Sequence, residues 1–232
     1  MGEKTEAREA VATWLSAERA AYVRVNGAST EWFRKDLEAI ARPGLAGILL
    51  PKAEEPDQIA EAASLLPDRA TIIPILETAL GIWRSRTLAE VSAVERLAFG
   101  SLDFKLDVGI DGEGEELLYA RSRLVLASRV ASILPPLDGV TAALDDPDRL
   151  AADVDHARRL GFGGKLCIHP RQVEAVNRGF SPSEGEVSWA RRVVEAAEAA
   201  GTGAFRVDGE MVDRPVVERA RDVLARAEHP RR

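Results

Sequence analysis

Apolar residues along the chain fall into two patterns that take turns: helical spacing, and short unbroken runs. Residues 3–18 place Ala10, Val11, Trp14 and Leu15 on one face and charges on the other, which predicts a helix. Residues 20–26 form a short β-type run closed by Gly27. Ser29 or Thr30 can cap a following helix with Trp32, Phe33, Leu37 and Ile40 at helical spacing, and Pro43-Gly44 breaks it. Residues 45–51 are apolar without alternation, as in a strand buried on both faces of a parallel sheet. A helix from Pro56 to about Leu66 leads to a strand at 71–77, marked by Pro74. The same rhythm predicts helices at 79–92, 115–132 and 147–160, with strands at 97–100, 137–141 and 164–170. Helices near 170–178 and 183–200, a Gly-rich turn, an extended piece at 204–207 and a helix from Pro215 to about Glu228 complete the chain.

Six strands this short, each followed by a helix, fit a (β/α) barrel better than an open doubly wound sheet. No strand is followed by Gly-x-Gly-x-x-Gly, which removes the usual dinucleotide reading. The expected organisation is a barrel over residues 1–200 and a C-terminal extension over 201–232, in which Val216, Val217, Ala220 and Leu224 make an apolar stripe.

Composition narrows the function. Of 232 residues, 31 are Lys or Arg and 38 Asp or Glu, giving a net charge of −7, and 5% are aromatic. That balance lacks the basic stripe and stacking aromatics of a nucleic-acid binder. One cysteine, Cys167, excludes an internal disulfide framework. No apolar run approaches the roughly 20 residues that span a bilayer. The charged start, Met1 to Glu6, is no secretory signal, so a cytoplasmic enzyme of small molecules is expected, with neither membrane nor nucleic acid as partner.

In a parallel barrel, chemistry gathers at the C-terminal ends of the strands. There the sequence puts Arg24 and Asn26, Lys52, Glu77, Asp103, Asp138 or Thr141, and His169. A lone Arg at a strand end, such as Arg24, is most often a solvated loop residue, and His169 before Pro170 reads as a structural one. Cys167 lies mid-strand and reads as a small core residue. Glu77 closes an apolar strand, so its carboxylate is expected half-buried, and a cation or metal is the usual relief for such a group. Asp103 follows a Gly100-Ser101 turn whose N–H groups could face an anion. Glu77 and Asp103 together make a two-carboxylate oxygen site of the kind that suits Mg²⁺.

The stretches YVRVN (22–26), GILLPKAEEPDQI (47–59), IPILETALGI (73–82), LAFGSLDFKLDVG (97–109), LLYARSRLVLASR (117–129), LDGVT (137–141), LGFGGKLCIHPRQVEAVNRGFSPS (160–183), WARRVV (189–194) and DGEMVDRPVVERAR (208–221) run in one order over nearly the whole chain. In combination they resemble the citrate lyase β-subunit-like proteins of the HpcH/HpaI aldolase and citrate lyase superfamily. The resemblance implies an eight-stranded TIM barrel and a Mg²⁺ site at Glu77 and Asp103. It implies that Arg24 binds substrate, and that Asp213 of the MVD motif reaches the active site of a neighbouring protomer in a homo-oligomer, commonly a trimer. The implied activity is cleavage or formation of a C–C bond in a 3-hydroxyacyl-CoA thioester, giving a small keto acid and an acyl-CoA. On that mechanism Gly100, Ser101, Leu102 and Lys52 join Arg24 in binding substrate, and Asp213 exchanges a proton with the acyl carbon. Two alternatives are a metal-dependent aldolase on free hydroxy-keto acids and a degenerate paralogue that binds acyl-CoA or another subunit. Family members begin with two β–α units of the LFVPG and Leu-Asp-Leu-Glu-Asp types that have no counterpart here. The expected fold is therefore six of eight units, from a start codon placed late or a truncated paralogue.

Overall fold

Strands that pair in the order in which they occur, all parallel, require a helix to carry the chain back each time, and that is how this sequence folds. The structure, a computed structural model, describes residues 2–200 and 205–228. The Gly-rich turn expected just after residue 200, the first residue of the extended piece, and His229 lie outside the described residues.

The first unit, Met1–Val173, contains α1 (Gly2–Trp14), β1 (Ala21–Arg24), α2 (Phe33–Ile40), β2 (Leu45–Leu50), α3 (Pro56–Ser64), β3 (Thr71–Leu76), α4 (Ala79–Trp83), α5 (Ser85–Ala89), β4 (Ala98–Phe99), α6 (Ser101–Val108), α7 (Leu118–Val130), β5 (Leu137–Asp138), α8 (Pro147–Leu160) and β6 (Gly164–Lys165). The six strands form one sheet in the order β1-β2-β3-β4-β5-β6, every pairing parallel. An order without reversal is singly wound, as in a barrel wall, and the sheet curls into a half-barrel. Among the described residues no helix is long and apolar enough to cross a membrane.

The strands expected from the apolar runs are all present. Leu45, Ile48, Leu50, Ile72 and Leu76 are essentially removed from water, as expected where helices cover the outer face and the interior fills with side chains. Ile73, Ile75 and Ala98 form an interior cluster with Leu49, Leu137 and Leu166. Pro74 sits where β3 passes from pairing with β2 to pairing with β4, a place where its missing N–H is tolerated. The helix expected at 79–92 is two short helices, α4 and α5, meeting at Arg84. The turn expected at Gly100-Ser101 is instead the start of α6.

The second unit, Glu174–Arg232, contains α10 (Glu184–Ala200), the antiparallel hairpin of β7 (Phe205–Val207) and β8 (Glu210–Val212), and α11 (Arg214–Glu228). A further helix, α9 (Val173–Phe180), spans the division. The division falls before residue 200 because Ala190 and Val193 of α10 bury themselves with Val212, Val217, Ala220 and Val223 in a core of the unit's own.

Gly47 shows how tightly the half-barrel is packed. A Cβ there would overlap the Thr71 carbonyl oxygen and the Tyr22 ring, whose hydroxyl pairs with Thr71 Oγ1 at 3.0 Å and with Glu95. Gly47→Ala is therefore expected to cost about 1–3 kcal/mol, the usual range for overpacking. Thermal unfolding would show it as a Tm lower by roughly 2–4 °C per kcal/mol.

Candidate active site

Glu77 is the residue immediately after β3, where the strand's inward alternation and the turn into α4 fix its direction. It is 3% exposed, more buried than the sequence suggested. Thr78 begins the turn and caps α4, its hydroxyl accepting from Gly81 N–H at 3.1 Å and donating to Glu54 at 2.7 Å. Across the strand ends, Gly100 leaves the space that Glu77 fills, since a Cβ there would overlap its carboxylate. Lys52 has a φ of 52°, in the left-handed region, and donates its backbone N–H to Glu77 Oε1 at 2.9 Å. Among the described residues no ion pair reaches Glu77.

These surroundings push the Glu77 carboxyl above its ordinary value. Burial is the main cause and the neighbouring Asp103 charge the second; the Lys52 N–H and the Arg24 and Lys52 charges oppose them. Asp103 lies in the first turn of α6 and is exposed, with Lys52 Nζ 3.9 Å from its Oδ1. Arg24 ends β1. Arg24, Glu77, Gly100, Ser101, Leu102 and Asp103 line one cleft of about 150 Å³, whose apolar wall is Ile75, Phe99, Val140, Leu166 and Ile168. The donor set fits a small hard cation: two carboxylates, one of them desolvated and without an ion-pair partner. Among the described residues no group of three or more His, Cys, Asp or Glu is arranged to hold a metal, so these two carboxylates are what the chain offers at this cleft.

The other strand-end residues have structural partners. Asn26 gives its N–H (3.2 Å) and its amide (2.5 Å) to Asp36, which also pairs with Arg8 at 2.8 Å. Thr141 donates to Asp153 at 2.7 Å. His169 Nδ1 accepts from Arg171 N–H at 3.1 Å and so caps the short 3₁₀ turn at Pro170–Gln172. Cys167 Sγ meets the Lys165 carbonyl at 3.9 Å, and burial raises its thiol pKa. Lys52 does not line the cleft; it acts on Glu77 through its backbone N–H and its charge, and its ammonium lies beside Asp103. Asp213 belongs to the second unit, where its carboxylate accepts from Val216 N–H at 3.4 Å at the start of α11. The sequence reading missed Asp138 as a buried ion-pair residue, bound to Arg121 at 3.0 Å; the signal lies in tertiary pairing alone.

Residues 1–170 match the family described as HpcH/HpaI aldolase/citrate lyase. The chain is 40% identical over 214 residues to a citrate lyase subunit beta-like protein of Deinococcus radiodurans, covering 89% of this chain and 75% of that one. It is 36% identical over 234 residues to a (3S)-malyl-CoA thioesterase of Cereibacter sphaeroides, covering 97% and 82%. The solved structure of CitE from Mycobacterium tuberculosis in complex with magnesium, acetoacetate and coenzyme A superposes with a TM-score of 0.83 at 32% identity, covering 98% of this chain and 85% of that one.

Because the folded-state pKa of Glu77 lies above the unfolded one, the metal-free folded chain holds more protons there. Its stability falls as pH rises from the ordinary glutamate value through the raised one. Glu77→Gln is expected to raise the metal-free Tm at pH 7, with the advantage shrinking in acid, and to abolish Mg²⁺ binding. Calorimetric titration and thermal melts at two pH values check both effects.

Proposed function

The chain belongs to the HpcH/HpaI aldolase/citrate lyase family, and we propose that it is a Mg²⁺-dependent carbon–carbon lyase. Its substrate on this reading is a 3-hydroxyacyl-CoA thioester such as citryl-, citramalyl- or malyl-CoA, and its products a keto acid and an acyl-CoA. The observation that carries it is the desolvated Glu77 sharing one cleft with Asp103 and Arg24. Relatives named for citrate lyase and for malyl-CoA, and the solved complex with magnesium, acetoacetate and coenzyme A, support it.

In such a cleavage the substrate hydroxyl gives up its proton and becomes the carbonyl of the keto acid. The C–C bond breaks, its electron pair passes into the thioester as an enolate, and a proton adds at the acyl carbon. Glu77 and Asp103 would hold Mg²⁺, which when bound supplies Lewis acidity to the hydroxyl and carboxylate oxygens. The N–H groups in the first turn of α6, at Ser101, Leu102 and Asp103, have no acceptor within the helix and suit the substrate carboxylate, since a helix N-terminus favours negative charge. Arg24 faces the charge that develops on the thioester oxygen, a preorganised contact of the kind worth about 3–4 kcal/mol. Lys52 keeps positive potential beside Asp103. Asp213, brought by the second unit of a neighbouring copy in a homo-oligomer, is the group that exchanges the proton at carbon.

The deciding assay measures Mg²⁺-dependent release of keto acid from these thioesters and from the free hydroxy acids. Turnover of the thioesters alone supports the lyase; turnover of the free acids alone supports an aldolase instead, and hydrolysis without C–C cleavage a thioesterase. In the active case, Arg24→Lys is expected to lower kcat by about 100-fold, because the charge stays but the forked geometry goes. Mixing an Arg24→Ala chain with an Asp213→Asn chain, each inactive alone, is expected to restore part of the activity. No restoration would rule out delivery of Asp213 in trans.

A further inference from the structure

α6 carries Asp103 and the first-turn N–H groups of the cleft, yet burial does little to hold it. Of its residues only Ser101 and Phe104 are buried, while Leu102 and Leu106 face solvent. A helix this short is unstable without tertiary support. Asp107 ties the last turn to the start of α4, accepting from Ala79 N–H at 2.7 Å, and both ends of the helix lead to one buried group of charges. The Lys165 side chain, at the end of β6, is 1% exposed. Its ammonium donates to the Gly139 carbonyl at 2.6 Å and lies 3.4 Å from Asp138 Oδ2. Arg121, in α7, donates to Asp138 Oδ1 at 3.0 Å and to the Glu113 carbonyl at 3.2 Å.

The residue that carries each anchored carbonyl then meets one end of α6. A Cβ on Gly139 would overlap the Ser101 side chain, so the first residue of the helix rests on the residue that Lys165 grips. The Glu113 carboxylate accepts from Lys105, in the last turn, at 3.0 Å. We propose that Lys165, Asp138 and Arg121 are positioning residues that fix α6 at both ends and thereby set Asp103 against Glu77. The placement of the helix stands on geometry alone; its consequence for a metal rests on the lyase reading above.

Lys165→Met removes one grip and leaves Asp138 paired with Arg121. The amide of Phe104, bonded to Gly100 O at 3.0 Å, reports on α6, and that of Val25, bonded to Leu49 O at 3.2 Å, on the sheet. Hydrogen exchange in the full chain is expected to speed up at Phe104 by about tenfold and to change little at Val25. An equal change at both sites, or none at Phe104, would overturn the proposal. Should that variant not fold, Lys105→Ala cuts the other grip from the surface. Its expected effect is faster exchange at Ile110, bonded to Lys105 O at 3.0 Å, and an unchanged rate there overturns the proposal equally. Mn²⁺ binding followed by electron paramagnetic resonance reads the consequence, with a roughly tenfold weaker Kd expected for Lys165→Met. Unaltered Mn²⁺ binding beside a loosened α6 would refute the link to Asp103. A wild-type chain that takes up no Mn²⁺ would count against the lyase reading, while the exchange rates still decide the clamp.

Discussion

Glu77 has been taken out of water and given one backbone N–H, that of Lys52, in return. A buried carboxylate in that position is costly in its charged form, and much of the nearby chain is shaped by it. Lys52 adopts a left-handed conformation at the end of β2, which directs its N–H at the carboxylate. Gly100 withholds a side chain so that the carboxylate has room. Asp103, which adds a second negative charge, stands in the first turn of α6, where the helix dipole favours an anion. On the function proposed above, each feature supports a cation held between the two groups.

The strands and the strand-end ring were legible in the sequence because burial on both faces leaves unbroken apolar runs, and because charged residues at the ends of such runs stand out. α6 was not legible. Leu102, Leu106 and Val108 are apolar but exposed, so no single apolar face marks the helix, and Gly100-Ser101 reads as a turn when it is a helix start. The boundary of the second unit was misplaced for a related reason. The periodicity of α10 shows that one face is buried but not against what, and Ala190 and Val193 lie in the core that α10 shares with β8 and α11. His169 was visible as a strand-end histidine, but its service to Arg171 N–H depends on the 3₁₀ turn that follows it.

Asp138 illustrates the limit most clearly. Its partners Arg121 and Lys165 are 17 and 27 residues away, on a helix and on the neighbouring strand, and no local pattern links them. Buried ion pairs are weak evidence of stability, because desolvation offsets most of the Coulomb attraction. Their directional hydrogen bonds are a better reason to keep them here, since the same cations that hold Asp138 also hold the carbonyls of Gly139 and Glu113.

That arrangement also accounts for why Glu77 is left wanting a partner. Two buried cations belong to the same unit, Arg121 on α7 and Lys165 at the end of β6. Lys165 is committed to Asp138 and the Gly139 carbonyl, and Arg121 to Asp138 and the Glu113 carbonyl. Releasing either from these bonds would leave the buried Asp138 carboxylate short of a partner, which costs more than it returns. Arg24 and Lys52, the cations beside the cleft, are exposed, where water screens their charge. Asp138 thus does for this cleft what a plain apolar residue could not. It engages Arg121 and Lys165, and the proposed cation site at Glu77 accords with a carboxylate that no ion pair reaches among the described residues.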